Sequence, residues 1–211
     1  MPQYHTSGKK NRIVDYLDHS ELRILLNNIE NSDDWETYMM VRLMVSFGFR
    51  ISELLNLRYF DVRWEENAIQ VRNGKGHKDR IIYCIDDSNT MTLLRGWLTS
   101  RANRDLIFQT RHNRPYARST INDRLLLYFR KAGILRSEVM LCTGGRRINK
   151  TNAHPHTLRH TMAVLSLIAG QSVKSIAIQL GHSEESFTMR TYLRICDTVR
   201  KQDVISHPVR I

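Results

Sequence analysis

The sequence predicts a mainly α-helical fold with one small antiparallel β-hairpin or sheet. Most apolar residues recur at the three- and four-residue spacing of helices that bury one face. One region changes to the two-residue alternation of strands, with Ile69 and Val71 in one run and residues 81–83 in the next. Residues 73–76, between these runs, are rich in turn-forming types. A hairpin should therefore present Lys75 near its tip.

The helix boundaries follow from apolar stripes and capping residues. Asp18 followed by Glu21 forms a capping-box pattern, and the stripe after it predicts a helix over residues 19–30. A second stripe, with methionines as core filler, predicts a helix over residues 33–47. Further predictions are helices over 50–55, 88–100 and from 117 onward, an extended piece at 106–108, an irregular segment at 136–153, and a helix-like apolar run after residue 156.

One stretch near the end of the sequence carries residues suited to phosphoryl transfer. Arg159 offers a fixed fork of donors that matches phosphate oxygens, and it stays charged at any working pH. His156 and His182 can each exchange a proton near neutrality, and Tyr192 carries an oxygen nucleophile. Each residue alone is more often a packing residue, so the specificity lies in their order. Together they indicate transfer through a protein-bound intermediate.

Four separated motifs follow one another along the chain: GFRISEL at residues 48–54, GKGHKDR at 74–80, HTLRH at 156–160 with LGH at 180–182, and then Tyr192. Their order resembles the catalytic signature of the tyrosine recombinase, or phage integrase, family. The resemblance covers the chain from about Leu17 to Tyr192 and implies the catalytic-domain fold of that family. One departure is that the spacing from His182 to Tyr192 is one residue longer than the family usually has.

The resemblance implies a role for each matching residue. Tyr192 would attack a DNA phosphodiester and form a 3′-phosphotyrosyl link, while Arg50 and Arg159 hold the non-bridging oxygens. The other implied roles are Lys75 as general acid for the leaving 5′ oxygen, His182 as a hydrogen-bond donor to the phosphate, His156 as the residue that manages the tyrosine proton, and His160 as a supporting residue. Because positioned cations would act in place of a metal ion, no metal, cofactor or ATP is expected.

Two residues near these motifs need separate interpretation. Glu53 lies three residues after Arg50, within reach on one helix face, and is interpreted as the partner that orients the guanidinium. A surface ion pair is the alternative for this pair. Lys78 competes with Lys75 for the general-acid role, since by composition both are loop lysines.

The composition suits a polyanionic partner. The 32 Lys and Arg against 21 Asp and Glu give a formal net charge of +11, although ribosomal or anionic-membrane binding would fit that number equally well. The helix predicted after residue 117 could contact double-stranded DNA through its polar face, and a solvated basic face is the alternative. The residues predicted to contact DNA are Lys78, Arg114, Arg118, Asn122 and Arg124.

Three segments are expected along the chain. Residues 1–16 would form a flexible basic arm, residues 17–195 the catalytic domain, and residues 196–211 a tail that docks on a neighbouring protomer or frays. The family resemblance implies a monomer in solution that assembles as a homo-oligomer, a tetramer, on DNA. The chain has no room for the N-terminal domain common in the family, so it is either a minimal recombinase or a fragment.

The expected location is the cytoplasm, with association with the nucleoid when the protein is bound to DNA. No apolar run approaches the roughly 20 residues needed to span a bilayer. The three cysteines are too widely spaced for a metal clip or an obvious disulfide framework, which suits a reducing compartment.

Three alternative functions remain open at this point. A type IB topoisomerase would use the same chemistry without synapsis of two DNA sites. A metal-dependent hydrolase could use His154, His156 and His160, although Arg159 would place a cation next to the ion. A catalytically silent DNA-binding relative would account for the longer spacing before Tyr192.

Overall fold

Helix α2 (Trp35–Phe47) forms the centre of the fold. The computed structural model describes residues 15–72, 79–86, 89–99, 101, 105–141 and 147–181. Helices α1 (His19–Glu30), α4 (Asn89–Thr99) and α6 (Pro155–Ile168) pack around α2. Because α2 is enclosed from several sides, buried residues occur around its whole circumference and not along a single stripe.

The capping residues set the helix ends. Asp18 and Glu21 form the predicted capping box, in which the Glu21 amide donates to Asp18 Oδ1 at 2.8 Å and the Asp18 amide donates to Glu21 Oε2 at 3.1 Å. Helix α2 begins at Trp35 and not at residue 33, because the side chain of Asp34 accepts the Thr37 amide as the N-cap. Methionines 39 and 44 are buried in the core, as predicted.

Helices α3 (Ile51–Leu55) and α5 (Arg118–Lys131) lie close to their predicted positions. Helix α7 (Val173–Leu180) had no separate prediction, and a 3-10 turn covers Tyr59–Asp61. Leu106, in the predicted extended piece, makes an isolated antiparallel bridge to Arg58. No helix in the part of the chain that the structure describes is long and apolar enough to cross a membrane.

The predicted hairpin is present and gains a third strand. Strands β2 (Ala68–Val71) and β3 (Arg80–Tyr83) pair antiparallel with Ile69 opposite Ile82, and β1 (Val62–Arg63) pairs with the other edge of β2. The mainly α fold with a small antiparallel sheet is therefore confirmed. Strand β1 has only two residues, which is too short for an alternating pattern to reveal it.

The prediction of an irregular segment over residues 136–153 is wrong. Strands β4 (Ser137–Leu141) and β5 (Arg147–Thr151) form a second antiparallel hairpin. The sequence of β5, RINKT, contains one apolar residue, so it lacks the alternation by which strands are recognised. Pairing with a neighbouring strand, and not its own pattern, gives this segment its conformation.

Candidate active site

Arg159 is a buried arginine that connects the ends of two helices. It lies on α6, its residue is 4% exposed, Nη1 donates to the carbonyl oxygen of Gly48 at 2.5 Å, and Nη2 donates to that of Leu180 at 2.5 Å. Gly48 is the C-cap of α2, and Leu180 is the last residue of α7. These two hydrogen bonds fix the plane and position of the guanidinium before any substrate is bound.

Arg50 lies at the start of α3 and is held by two groups. Its Nη2 donates to the Gly181 carbonyl at 2.8 Å, and its Nη1 donates to Glu53 Oε1 at 2.8 Å. The Arg50 amide also donates to Glu53 Oε2 at 2.9 Å. The Glu53 side chain is only 6% exposed, so this contact differs from a surface ion pair, and the carboxylate restrains both the backbone and the side chain of Arg50.

The two arginines therefore meet at one place although they are far apart in the sequence. Arg159 binds the carbonyl of Leu180 and Arg50 binds the carbonyl of the next residue, Gly181. Carbonyl oxygens at a helix C-terminus carry partial negative charge, which favours cations at this position. The end of α7 thus holds two guanidinium groups side by side.

Arg80 is a third arginine at this site, and it was not among the residues singled out from the sequence. Its Nη1 and Nη2 donate to Oε1 and Oε2 of Glu53, both at 2.9 Å, and its Nε donates to the Gln179 carbonyl at 3.1 Å. One indirect sign in the sequence indicated that Arg80 belongs to the site, since Arg80 ends the GKGHKDR motif and begins strand β3. Nothing in the sequence connected it to Glu53.

Glu53 is the carboxylate shared by two of these arginines. Burial raises the pKa of Glu53, but hydrogen bonds and charge from Arg80, followed by hydrogen bonds from Arg50, outweigh burial and leave the pKa below its ordinary value of 4.5. Glu53 is therefore ionised at neutral pH. One carboxylate among the guanidinium groups of Arg50, Arg80 and Arg159 leaves the cluster positively charged, which favours binding of an anion such as phosphate.

His156 lies near both phosphate-binding candidates. Partial burial of the ring and then the charges of Arg159 and Arg50 lower the pKa of His156 below its ordinary value of 6.5. The ring is therefore neutral at pH 7 and can accept a proton. The ring of His160 lies 6.4 Å from that of His156, measured between centroids.

His154 has a structural role at the start of α6. It is the N-cap, and its Nδ1 accepts the Thr157 amide at 3.2 Å. Burial, and then the charges of His156 and Lys150, lower the pKa of His154. Within the described ranges, no group of three or more His, Cys, Asp or Glu side chains is arranged to hold a metal ion.

The residues predicted to contact DNA fall into two environments. Arg114, Arg118 and Asn122 are exposed. Arg124 is partly buried, with Nη1 3.4 Å from Glu36 Oε2 and the guanidinium carbon 4.9 Å from the centroid of the Tyr116 ring. All four DNA contacts stay predictions, and the environment of Arg124 indicates that it also stabilises the packing of α5 against α2.

Several predicted residues lie outside the described part of the chain. These are Lys75, Lys78, His182 and Tyr192, together with most of the basic arm and the whole of the tail at 196–211. Described residues lie next to some of them. Strands β2 and β3 flank the segment that contains Lys75, and Gly181, which binds Arg50, directly precedes His182.

Comparison with known proteins identifies the class. The phage integrase family matches residues 15–198. A tyrosine recombinase of Pseudothermotoga lettingae is 34% identical, covering 89% of this chain and 59% of the relative, and the XerA recombinase of Saccharolobus solfataricus is 28% identical, covering 90% and 55%. A crystal structure of XerA recombinase superposes with a TM-score of 0.71 at 28% identity, covering 95% of this chain and 67% of the other.

The chain belongs to the phage integrase family and has the fold of a tyrosine recombinase catalytic domain. The resemblance inferred from the four motifs is confirmed. The chain spans less than two thirds of the length of these two sequence relatives.

Proposed function

We propose that the protein is a site-specific DNA recombinase that cleaves and rejoins DNA through a 3′-phosphotyrosyl intermediate, without metal or ATP. The observation that carries the proposal is the convergence of Arg50 and Arg159 on consecutive carbonyls at the end of α7, directly before His182. Two oriented guanidinium groups at one point can bind the non-bridging oxygens of a single phosphodiester. Relatives named as tyrosine recombinases support the same conclusion.

In the proposed first step, the phenolic oxygen of Tyr192 attacks the scissile phosphorus. A bond forms between that oxygen and phosphorus, and the bond from phosphorus to the 5′ oxygen breaks. His156 accepts the phenolic proton, and Lys75 donates a proton to the leaving 5′ oxygen. Arg50 and Arg159 stabilise the charge on the non-bridging oxygens, and His182 adds a hydrogen bond.

The second step reverses the first with a different strand. A 5′ hydroxyl attacks the phosphotyrosyl phosphorus, restores the phosphodiester and releases Tyr192. Because the covalent link conserves the energy of the phosphodiester, no nucleotide hydrolysis is required. Exchange between two duplexes requires that two DNA sites be held together, so a homo-tetramer on double-stranded DNA is part of the proposal.

Covalent trapping tests this function directly. The protein is incubated with duplexes nicked close to the candidate cleavage site, so that the short 5′ fragment diffuses away and resealing cannot occur. After addition of EDTA and denaturation, we expect a protein–DNA band whose DNA is attached to the peptide that contains Tyr192. Tyr192→Phe should bind the duplex and give no band. A band in that variant would contradict the nucleophile assignment, and DNA relaxation without strand exchange would favour topoisomerase activity.

The rate of adduct formation should depend on the protonation of His156. Since its pKa lies below 6.5, most His156 rings are neutral at and above that pH. The single-turnover rate should be independent of histidine protonation above about pH 6.5 and fall by about tenfold per pH unit once the pH is below the lowered pKa. Only the neutral ring can accept the tyrosine proton, which fixes the sign of this dependence.

The His156→Asn variant is the control for that pH profile. It should lower the rate at neutral pH by about a hundredfold and remove the acid limb. An acid limb unchanged in His156→Asn would show that another group titrates there.

A further inference from the structure

Arg80 connects three elements that carry different parts of the site. It begins β3, its Nη1 and Nη2 each donate to one oxygen of Glu53 on α3, and its Nε donates to the carbonyl of Gln179 on α7. The side chain is 13% exposed. All three guanidinium nitrogens of Arg80 therefore make intramolecular hydrogen bonds, in a position where water screens them little.

The contact between Arg80 and Glu53 determines how Glu53 can hold Arg50. The two parallel hydrogen bonds of 2.9 Å fix the plane of the carboxylate, as bidentate pairs do. The same two oxygens also accept from the amide and Nη1 of Arg50. Without Arg80, the carboxylate could rotate, and the Gly181 carbonyl would remain as the fixed partner of the Arg50 side chain.

Arg80 also packs closely against the end of α7. Gly181 has a φ of +61°, and a Cβ added there would lie 2.9 Å from both Cζ and Nε of Arg80. Nearby, the side chain of Gln179 makes a separate connection to β3, since Tyr83 N donates to its Oε1 at 3.1 Å and its Nε2 donates to the Tyr83 carbonyl at 2.5 Å. Arg80 and the side chain of Gln179 thus make different attachments between the same two elements.

We propose that Arg80 is a positioning residue for the reaction: it holds Glu53, and Glu53 holds Arg50 against the phosphate. In this proposal Arg80 acts through Glu53 and not on the phosphate, since each of its three nitrogens donates to a protein group. This inference rests on the proposed recombinase function. It adds a residue outside the inferred catalytic set and accounts for the low exposure of Glu53.

The kinetic test compares a normal phosphodiester with an uncharged methylphosphonate at the cleavage position of the nicked duplex. Arg80→Gln should lower the single-turnover rate on the normal phosphodiester by about a hundredfold, the loss typical of a small misplacement of a reacting group, while the Kd for the duplex changes less than about threefold. A methylphosphonate at the scissile position lacks the negative charge that Arg50 neutralises. On that substrate the loss should shrink to less than about tenfold, and Arg50→Ala should show the same pattern.

Two further variants separate positioning from general stabilisation. Gln179→Ala removes the other connection between α7 and β3 but leaves Arg80 and Glu53 paired, so its rate should fall less than about threefold. Arg80→Lys keeps a cation beside Glu53 and should remain folded, yet it cannot form the two parallel hydrogen bonds. It should therefore still lose at least about tenfold in rate. Three results would each overturn the inference. The first is that Arg80→Gln loses the same factor in rate on the phosphodiester and on the methylphosphonate. The others are a loss in Gln179→Ala as large as in Arg80→Gln, and full activity of Arg80→Lys.

A measurement without DNA keeps this inference separate from the proposed function. In the wild type, the hydrogen bonds to Glu53 and Gly181 should slow rotation of the Arg50 guanidinium. ¹⁵N NMR at low temperature should then resolve its Nη resonances, which are assigned by their absence in Arg50→Lys. Those resonances should broaden in Arg80→Lys and persist in Gln179→Ala. Unchanged Arg50 resonances in Arg80→Lys would refute the positioning role. A wild-type protein that forms no adduct would contradict the recombinase function alone.

Discussion

Replacing Arg159 with alanine should lower the rate of covalent adduct formation by about a thousandfold. The guanidinium is fixed by the carbonyls of Gly48 and Leu180 at the point where Arg50 also binds. A charge held in place before the reaction stabilises the transition state more than the ground state, so the rate should fall much more than the affinity. Single-turnover trapping and anisotropy titration of the same duplex measure the two quantities.

The loss of Arg159 also affects the fold, and this effect must be measured separately. Alanine leaves two buried carbonyls without these donors, at about 1–3 kcal/mol for each group left unsatisfied. Arg136→Ala is a suitable control, because the exposed side chain of Arg136 donates to Glu21 at 2.7 Å and to the Tyr16 carbonyl at 2.8 Å, and neither partner is one of the site residues. It should leave the adduct rate unchanged. If Arg159→Ala reduces binding and cleavage equally, Arg159 merely positions DNA.

The sequence predicted the parts of the fold in which local pattern and structure agree. The capping box at Asp18, the stripe of α1 and the turn chemistry between β2 and β3 each act within a few residues, so the sequence carries their signal directly. The second hairpin was missed because the β5 sequence has no alternation. Its conformation depends on the strand with which it pairs, which a local pattern does not specify.

The same distinction applies to the site. Arg50 and Arg159 stand in recognisable motifs, and Glu53 is three residues from Arg50, so motif and helix spacing were sufficient to select them. Arg80 is separated from Glu53 by 27 positions and from Gln179 by 99. No periodicity relates residues at such distances. Only the folded structure shows that Arg80, the basic residue ending the lysine motif, is the partner of Glu53.

Gly48→Ala should destabilise the protein by about 3 kcal/mol, one of the larger effects available to a single methyl group. Gly48 ends α2 with a φ of +72°, and a Cβ there would lie 2.1 Å from Met162 Cε and 2.9 Å from Leu180 Cδ2. Met162 and Leu180 are fully buried, so neither can move into solvent. The substitution therefore combines backbone strain with overlap in a packed core.

Gly133→Ala separates these two contributions. Gly133 has a φ of +69°, and nothing lies within 4 Å of the position of its added Cβ. This variant should cost only about 1 kcal/mol, since it has backbone strain without overlap. Urea unfolding of both variants measures the difference. Similar losses of stability in the two variants would mean that α2, α6 and α7 can separate to admit a methyl group.

Such a separation would also affect the reaction, because the Gly48 carbonyl binds Arg159. It would lower the adduct rate in Gly48→Ala, whereas the rate in Gly133→Ala should stay unchanged.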